Sequence, residues 1–187
     1  CGRDLGRGAT AGLRVEPRRL AVLDVVAHPS VFATDAAVFE PPTLDRWTID
    51  LSTGRVSAAR LDDEAQEFPR VDERLVGKRH RYGYSIASTS DDDSVSPCAL
   101  LRHDIQTGQT RRVTFAGDGE PGEFVFVPRD ADADEDDGVV MGFVYDRSTD
   151  RSDLVLLDAQ TLETTGVVHL PCRVPHGFHG NWVPQTG

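Results

Sequence analysis

Trp47-Thr48-Ile49-Asp50-Leu51-Ser52-Thr53-Gly54 is met twice more in this chain, as Leu101-Arg102-His103-Asp104-Ile105-Gln106-Thr107-Gly108 and as Val155-Leu156-Leu157-Asp158-Ala159-Gln160-Thr161-Leu162. Each copy is the end of an apolar strand, then an aspartate, then a short link to Thr-Gly or Thr-Leu. An aspartate at such a place bonds the backbone two residues on, and glycine supplies a positive φ, so each copy predicts a tight turn. Asp50, Asp104 and Asp158 are separated by 54 residues both times. Equivalent hairpins at equal spacing mark a repeat fold, and a period near this length with several short strands is that of a propeller blade.

Outward from the three turns the chain reads as strands. Leu20 to Ala27 is nearly continuously apolar, Glu123 to Val127 alternates Phe and Val, and Val139 to Tyr145 and Leu154 to Leu157 are unbroken apolar runs. Asp146 to Asp153, between the last two, predicts a hairpin loop. Unbroken runs of this length suit strands buried on both faces, and helical periodicity is weak throughout, so the fold class is all-β. Residues 1–19 differ: the first twenty residues hold five arginines against two acids and carry Gly2, Gly6, Gly8 and Gly12. This segment reads as atypical, disordered or foreign to the fold, leaving 20–187 as the folded unit. The chain begins with Cys1 rather than methionine, and a fragment is the expectation.

The 187 residues carry a formal net charge of -11, which argues against nucleic acid as a partner. No apolar run approaches the roughly 20 residues needed to span a bilayer, so no transmembrane segment is expected. Cys1, Cys98 and Cys172 form neither a metal-ligand spacing nor an even disulfide set, and read as reduced thiols of a cytoplasmic protein. Asp130 to Asp137 holds six acids in eight positions without the pattern of a calcium loop, and reads as a solvated loop before a strand.

Six histidines, His28, His80, His103, His169, His176 and His179, are the candidates for chemistry. His80 lies in the basic stretch Lys78-Arg79-His80-Arg81 and reads as exposed. His176 and His179 are three apart, which in an extended strand puts them on opposite faces. His179 stands in Pro175-His176-Gly177-Phe178-His179-Gly180, and small neighbours let a backbone approach a bound group closely. Neutral imidazole is the commonest protein metal ligand, yet spacing alone favours a hydrogen-bonded core histidine at 179.

Several blocks in one order resemble the carotenoid cleavage oxygenase family, which includes apocarotenoid and lignostilbene dioxygenases and the retinoid isomerase of the eye. They are Asp24 to Phe32, Pro42 to Asp50, Glu67-Phe68-Pro69-Arg70-Val71-Asp72, His80 to Tyr84, Gly122 to Pro128, Glu135-Asp136-Asp137-Gly138, and the Phe178-His179-Gly180 tail. The resemblance covers about residues 20 to 184. It implies the C-terminal blades of a seven-bladed β-propeller with Fe(2+) on its axis, held by four histidines, three of them backed by glutamates. By motif, His179 is an iron ligand, and Glu67 and Glu123 are the glutamates that orient ligating rings. The implied reaction is oxidative cleavage, with O2, of a conjugated C=C bond in a small lipophilic apocarotenoid or stilbene to carbonyl products.

One departure bears on this. The family's third histidine, from a His-x-x-Asn-Ala-aromatic motif, has no counterpart in Gly8-Ala9-Thr10-Ala11-Gly12-Leu13-Arg14, and His28 follows its strand instead of preceding it. The alternative is therefore a non-catalytic propeller fragment, lacking three of the four iron-ligand histidines and inactive as an isolated chain.

Overall fold

The computed structural model describes residues 9–16, 19–28, 40–88, 98–175, 177 and 179–184. Among the described residues, twelve strands form three four-stranded sheets, each an antiparallel meander in chain order. The first holds β1 (Ala9–Glu16), β2 (Leu20–Ala27), β3 (Thr43–Asp50) and β4 (Arg55–Asp62). The second holds β5 (Gln66–Arg70), β6 (Tyr82–Ala87), β7 (Ala99–Asp104) and β8 (Gln109–Thr114). The third holds β9 (Glu120–Pro128), β10 (Gly138–Asp146), β11 (Arg151–Asp158) and β12 (Thr164–His169). These are propeller blades: β5 lies against β1, β2 and β9, while β4, β8 and β12 are the exposed outer strands.

The 54-residue repeat is the turn between the third and fourth strands of each blade. Asp50 accepts from the Ser52 and Thr53 amides, Asp104 from Gln106 and Thr107, and Asp158 from Gln160 and Thr161. The backbone closes on Gly54, Gly108 and Leu162, whose φ values are +68°, +70° and +62°. Asp104 is held far below the usual carboxylate range, first by the Arg81 guanidinium and then by these turn amides.

The opening segment, read from composition as disordered or foreign, contributes β1. Its backbone pairs with β2 from Ala9 opposite Val26 to Glu16 opposite Leu20, with a bulge between Thr10 and Gly12. A ladder is made by backbone groups, so a strand paired along one side needs no apolar alternation to form. The hairpin expected over Asp146 to Asp153 is tighter than that, since β11 already begins at Arg151.

The two seams between blades differ in chemistry. Between the second and third blades lies the main core, built from Tyr84, Ile86, Leu100, Phe124, Phe126, Val140, Val144, Val155, Leu157, Ala159 and Leu162. The Asp130–Asp137 loop fastens its rim: Glu135 accepts from the Arg81 and Tyr82 amides at 2.6 and 2.7 Å, and Asp136 pairs with Arg102 at 2.9 Å. Those acids are structural ties, not wholly solvated ones. Between the first and second blades the apolar cluster that the second blade offers is small among the described residues: Ala87, Ala99 and Leu101. There, polar pairs cross: Asp24 with His80, Asp62 with Thr110, and Glu64 with Arg112. His80, expected to be exposed, is buried, because the chain before β6 turns it onto Asp24. Among the described residues no helix is long and apolar enough to cross a membrane, and neither Cys98 nor Cys172 forms a disulfide.

Candidate metal centre

Glu123 stands on β9, and its side chain is only 5% exposed. A carboxylate so buried must have partners. It accepts from the Gly180 amide at 2.6 Å, lies 3.2 Å from His179 Nδ1, and has Arg70 Nη1 at 3.5 Å. An ionised carboxylate only accepts, so Nδ1 carries the proton and Nε2 keeps its lone pair. The ring itself is 65% exposed. This is the arrangement by which a carboxylate fixes the tautomer and raises the basicity of a ligating histidine.

Glu67 stands on β5, and His28 Nε2 lies 3.1 Å from its Oε1. His28, set aside by motif order, is thus the imidazole that Glu67 meets. His176 lies outside the described residues. His103 is buried in the second blade, and His169 pairs with Asp153 on the exposed β12 side. Of the three site residues expected from sequence, Glu123 and His179 meet each other, while Glu67 meets a different ring.

The strand that carries Glu67 is broken on purpose. In β5, Glu67 pairs with Ile86 and Arg70 with Tyr84, so three steps on one strand match two on the other. Opposed residues share a face and side chains alternate, so this bulge puts Glu67 and Arg70 on one face where a regular strand would oppose them. Phe68 takes the left-handed conformation at φ +53°, a cost of about 1–2 kcal/mol for a non-glycine residue. Pro69 follows it and has no amide proton to lose from the ladder. The bulge aims the Phe68 ring at His179, edge to face, with centroids 6.0 Å apart and planes at 89°. Phe68 and Arg70 went unread in the sequence, although a Phe-Pro pair within a strand signals such a bulge.

Beside His179 opens a cleft of about 290 Å³ walled by Phe68, Phe143, Tyr145, Val174 and Pro175, with Glu123 and His179 at one side. The Arg173 guanidinium lies 4.5 Å from the Tyr145 ring centre, and the Tyr145 hydroxyl donates to Asp150. As a donor set, the imidazole–carboxylate pairs have the chemistry of a metal site. No group of three or more His, Cys, Asp or Glu residues able to hold a metal ion occurs among the described residues. The described residues therefore offer donors of a metal-ligating type and do not complete a metal centre.

Residues 19–184 match the family described as retinal pigment epithelial membrane protein. Over 172 residues the chain is 45% identical to a carotenoid cleavage oxygenase of Mycobacterium tuberculosis, covering 88% of this chain and 34% of that protein. It is 35% identical over 168 residues to lignostilbene-alpha,beta-dioxygenase isozyme III of Sphingomonas paucimobilis, covering 80% of this chain and 34% of that one. Among solved structures, the cobalt-substituted apocarotenoid oxygenase of Synechocystis superposes with a TM-score of 0.84 at 29% identity, over 97% of this chain and 40% of that one. The chain spans about a third of the length of the curated relatives it matches.

Proposed function

The chain belongs to the family of the retinal pigment epithelial membrane protein and the carotenoid cleavage oxygenases, and from that membership we propose that it is the C-terminal propeller portion, β1 included, of an Fe(II)-dependent dioxygenase. The complete enzyme takes a conjugated C=C bond of an apocarotenoid or stilbene and, with one O2, gives two carbonyl products. Relatives named for apocarotenoid and lignostilbene substrates support that class, and a cobalt-substituted relative supports a metal in the site.

The observation that carries the reading is the Glu123–His179 pair. Iron, when bound, supplies the oxygen chemistry that an unaided side chain cannot. The chain's own residues do the rest. His179 offers Nε2 because Glu123 holds the proton on Nδ1. Phe68, edge-on to the ring, restricts its rotation. The aromatic wall of the cleft suits a flat apolar substrate.

A second reading holds for the 187 residues alone. With no third donor among the described residues, they bind iron weakly and cleave nothing. A chimera tests both readings: the chain joined behind the N-terminal two-thirds of the Mycobacterium tuberculosis relative. The chimera is expected to hold one iron and to yield carbonyl products from a stilbene or an apocarotenal, and His179→Ala to lose both. The isolated chain is expected to hold sub-stoichiometric iron. A chimera that keeps its iron after His179→Ala removes His179 from the ligand set. Tight one-to-one iron binding by the isolated chain overturns the second reading.

A further inference from the structure

Beyond β12, which ends at His169, the described residues up to Pro184 run without strand pairing. Val174 donates its amide to Ser152 Oγ at 3.0 Å, and among the described residues the next anchors are at His179, Gly180 and Asn181. An added Cβ at Gly177 or Gly180 would meet nothing within 4 Å, so crowding does not set the path of this segment. Something else must hold the stretch that presents His179.

Arg70 is placed to do so. Its side chain is four-fifths buried on the bulged face of β5. Its guanidinium reaches Glu123 with Nη1, and with Nη2 it donates to Glu73 Oε1 at 2.8 Å and Asn181 Oδ1 at 3.2 Å. The Asn181 amide closes the figure by donating from Nδ2 to Glu73 Oε2 at 3.2 Å. Asn181 Oδ1 also accepts from the Trp182 amide at 2.9 Å. The planar fork of arginine suits such shared recognition, and closed hydrogen-bond sets support one another. Glu123 grips the segment at His179 and Gly180, and this triangle grips it one residue later.

We propose that Arg70, Glu73 and Asn181 form a clasp that, alongside Glu123, positions the His179 ring. They are positioning residues and touch neither metal nor substrate. The inference rests on the reading of His179 as a ligand. Its test uses the metal-free 187-residue chain, so failure of the clasp and failure of the iron assignment are separate results.

Two signals from nuclear magnetic resonance report the clasp. One is solvent exchange of the Gly180 amide. The other is the His179 Hε1 shift, which senses the Phe68 ring current and which mere compensation of the Glu123 charge would not require. Asn181→Ala is expected to speed Gly180 exchange about tenfold, as loss of a hydrogen-bond set would. It should also move Hε1 toward its free-peptide position, with the β5–β12 amides unchanged. Glu73→Gln and Asn181→Asp alone should each do the same. Together they should restore both signals, because the new amide at position 73 donates to the new carboxylate at 181. Arg70→Gln is expected to repeat the Asn181→Ala result; if it unfolds the blades, the Asn181 variants and the reciprocal pair decide, since Asn181 lies outside every strand. Unchanged Gly180 exchange and Hε1 shift in Asn181→Ala, or no recovery in the double variant, overturns the proposal.

Discussion

His80 Nε2 lies 2.8 Å from Asp24 Oδ2 across the seam of the first two blades, with both side chains at least 95% buried. Asp24 also receives both arms of Arg46, at 2.6 and 2.7 Å. Burial alone would raise its pKa, but the Arg46 and His80 bonds and charges outweigh that and lower it. Asp24→Asn leaves Arg46 facing a neutral group in a largely dry seam. The expected loss is about 3 kcal/mol, the lower end for breaking a buried pair, since Arg46 keeps some solvent. Urea unfolding at neutral pH measures it.

Acid should open the same seam. His103 is enclosed by Ser85 at 2.9 Å, Thr110 at 3.0 Å and Asp62 at 3.5 Å, with Ser85 donating onward to Gln66. Burial lowers its pKa below the ordinary 6.5, against the opposing pull of Asp62 and Asp24. The unfolded chain then binds the proton first. The contribution of His103 is fully present above about pH 6.5 and is lost as pH falls below it, at up to about 1.4 kcal/mol per pH unit. The urea midpoint of the wild type should fall more between pH 7.5 and 5.5 than that of His103→Gln. Equal falls would count against the assignment.

The repeated turns set a graded test of backbone conformation. Gly108 has φ +70° and open space around it, so Gly108→Ala should cost about 1 kcal/mol from the left-handed conformation alone, and Gly108→Asn less. Leu162 holds the equivalent place in the third blade at φ +62°, with its side chain in the main core. Leu162→Gly relieves the backbone but empties a buried site worth about 2–5 kcal/mol, so it should destabilise. Thermal melts of the three variants read the order.

Gly142 on β10 faces Phe124 on β9, and an added Cβ would overlap the buried ring. Gly142→Ala should therefore cost about 1–3 kcal/mol by overpacking. Restoring room with Phe124→Leu in the same chain should return part of it; additive losses would mean the glycine serves the backbone instead.

What was legible in the sequence was local. The three aspartates announced their turns because an Asx turn is made by residues two apart, and Leu20 to Ala27 named β2 because its burial is continuous. The strand β1 was hidden, since its arginines and glycines say nothing of the partner that pairs with it. His80 was misread because its neighbours in sequence are cations, while its partner Asp24 lies 56 residues away. The candidate site divides in the same way. Glu67, Glu123 and His179 were named by a family motif; Arg70, Phe68 and His28 depend on a bulge and on contacts between blades, and only Pro69 hinted at them.

The unlike seams also give the molecule two thermal responses. Apolar burial, which dominates between the second and third blades, gains little per unit area as temperature rises, whereas the dehydration penalty of charged groups keeps falling. Warming thus favours the Asp24–Arg46–His80 seam relative to its neighbour. Cold weakens the apolar core as its entropic drive fades. The joint that is weaker on cooling need not be the one that yields first on heating.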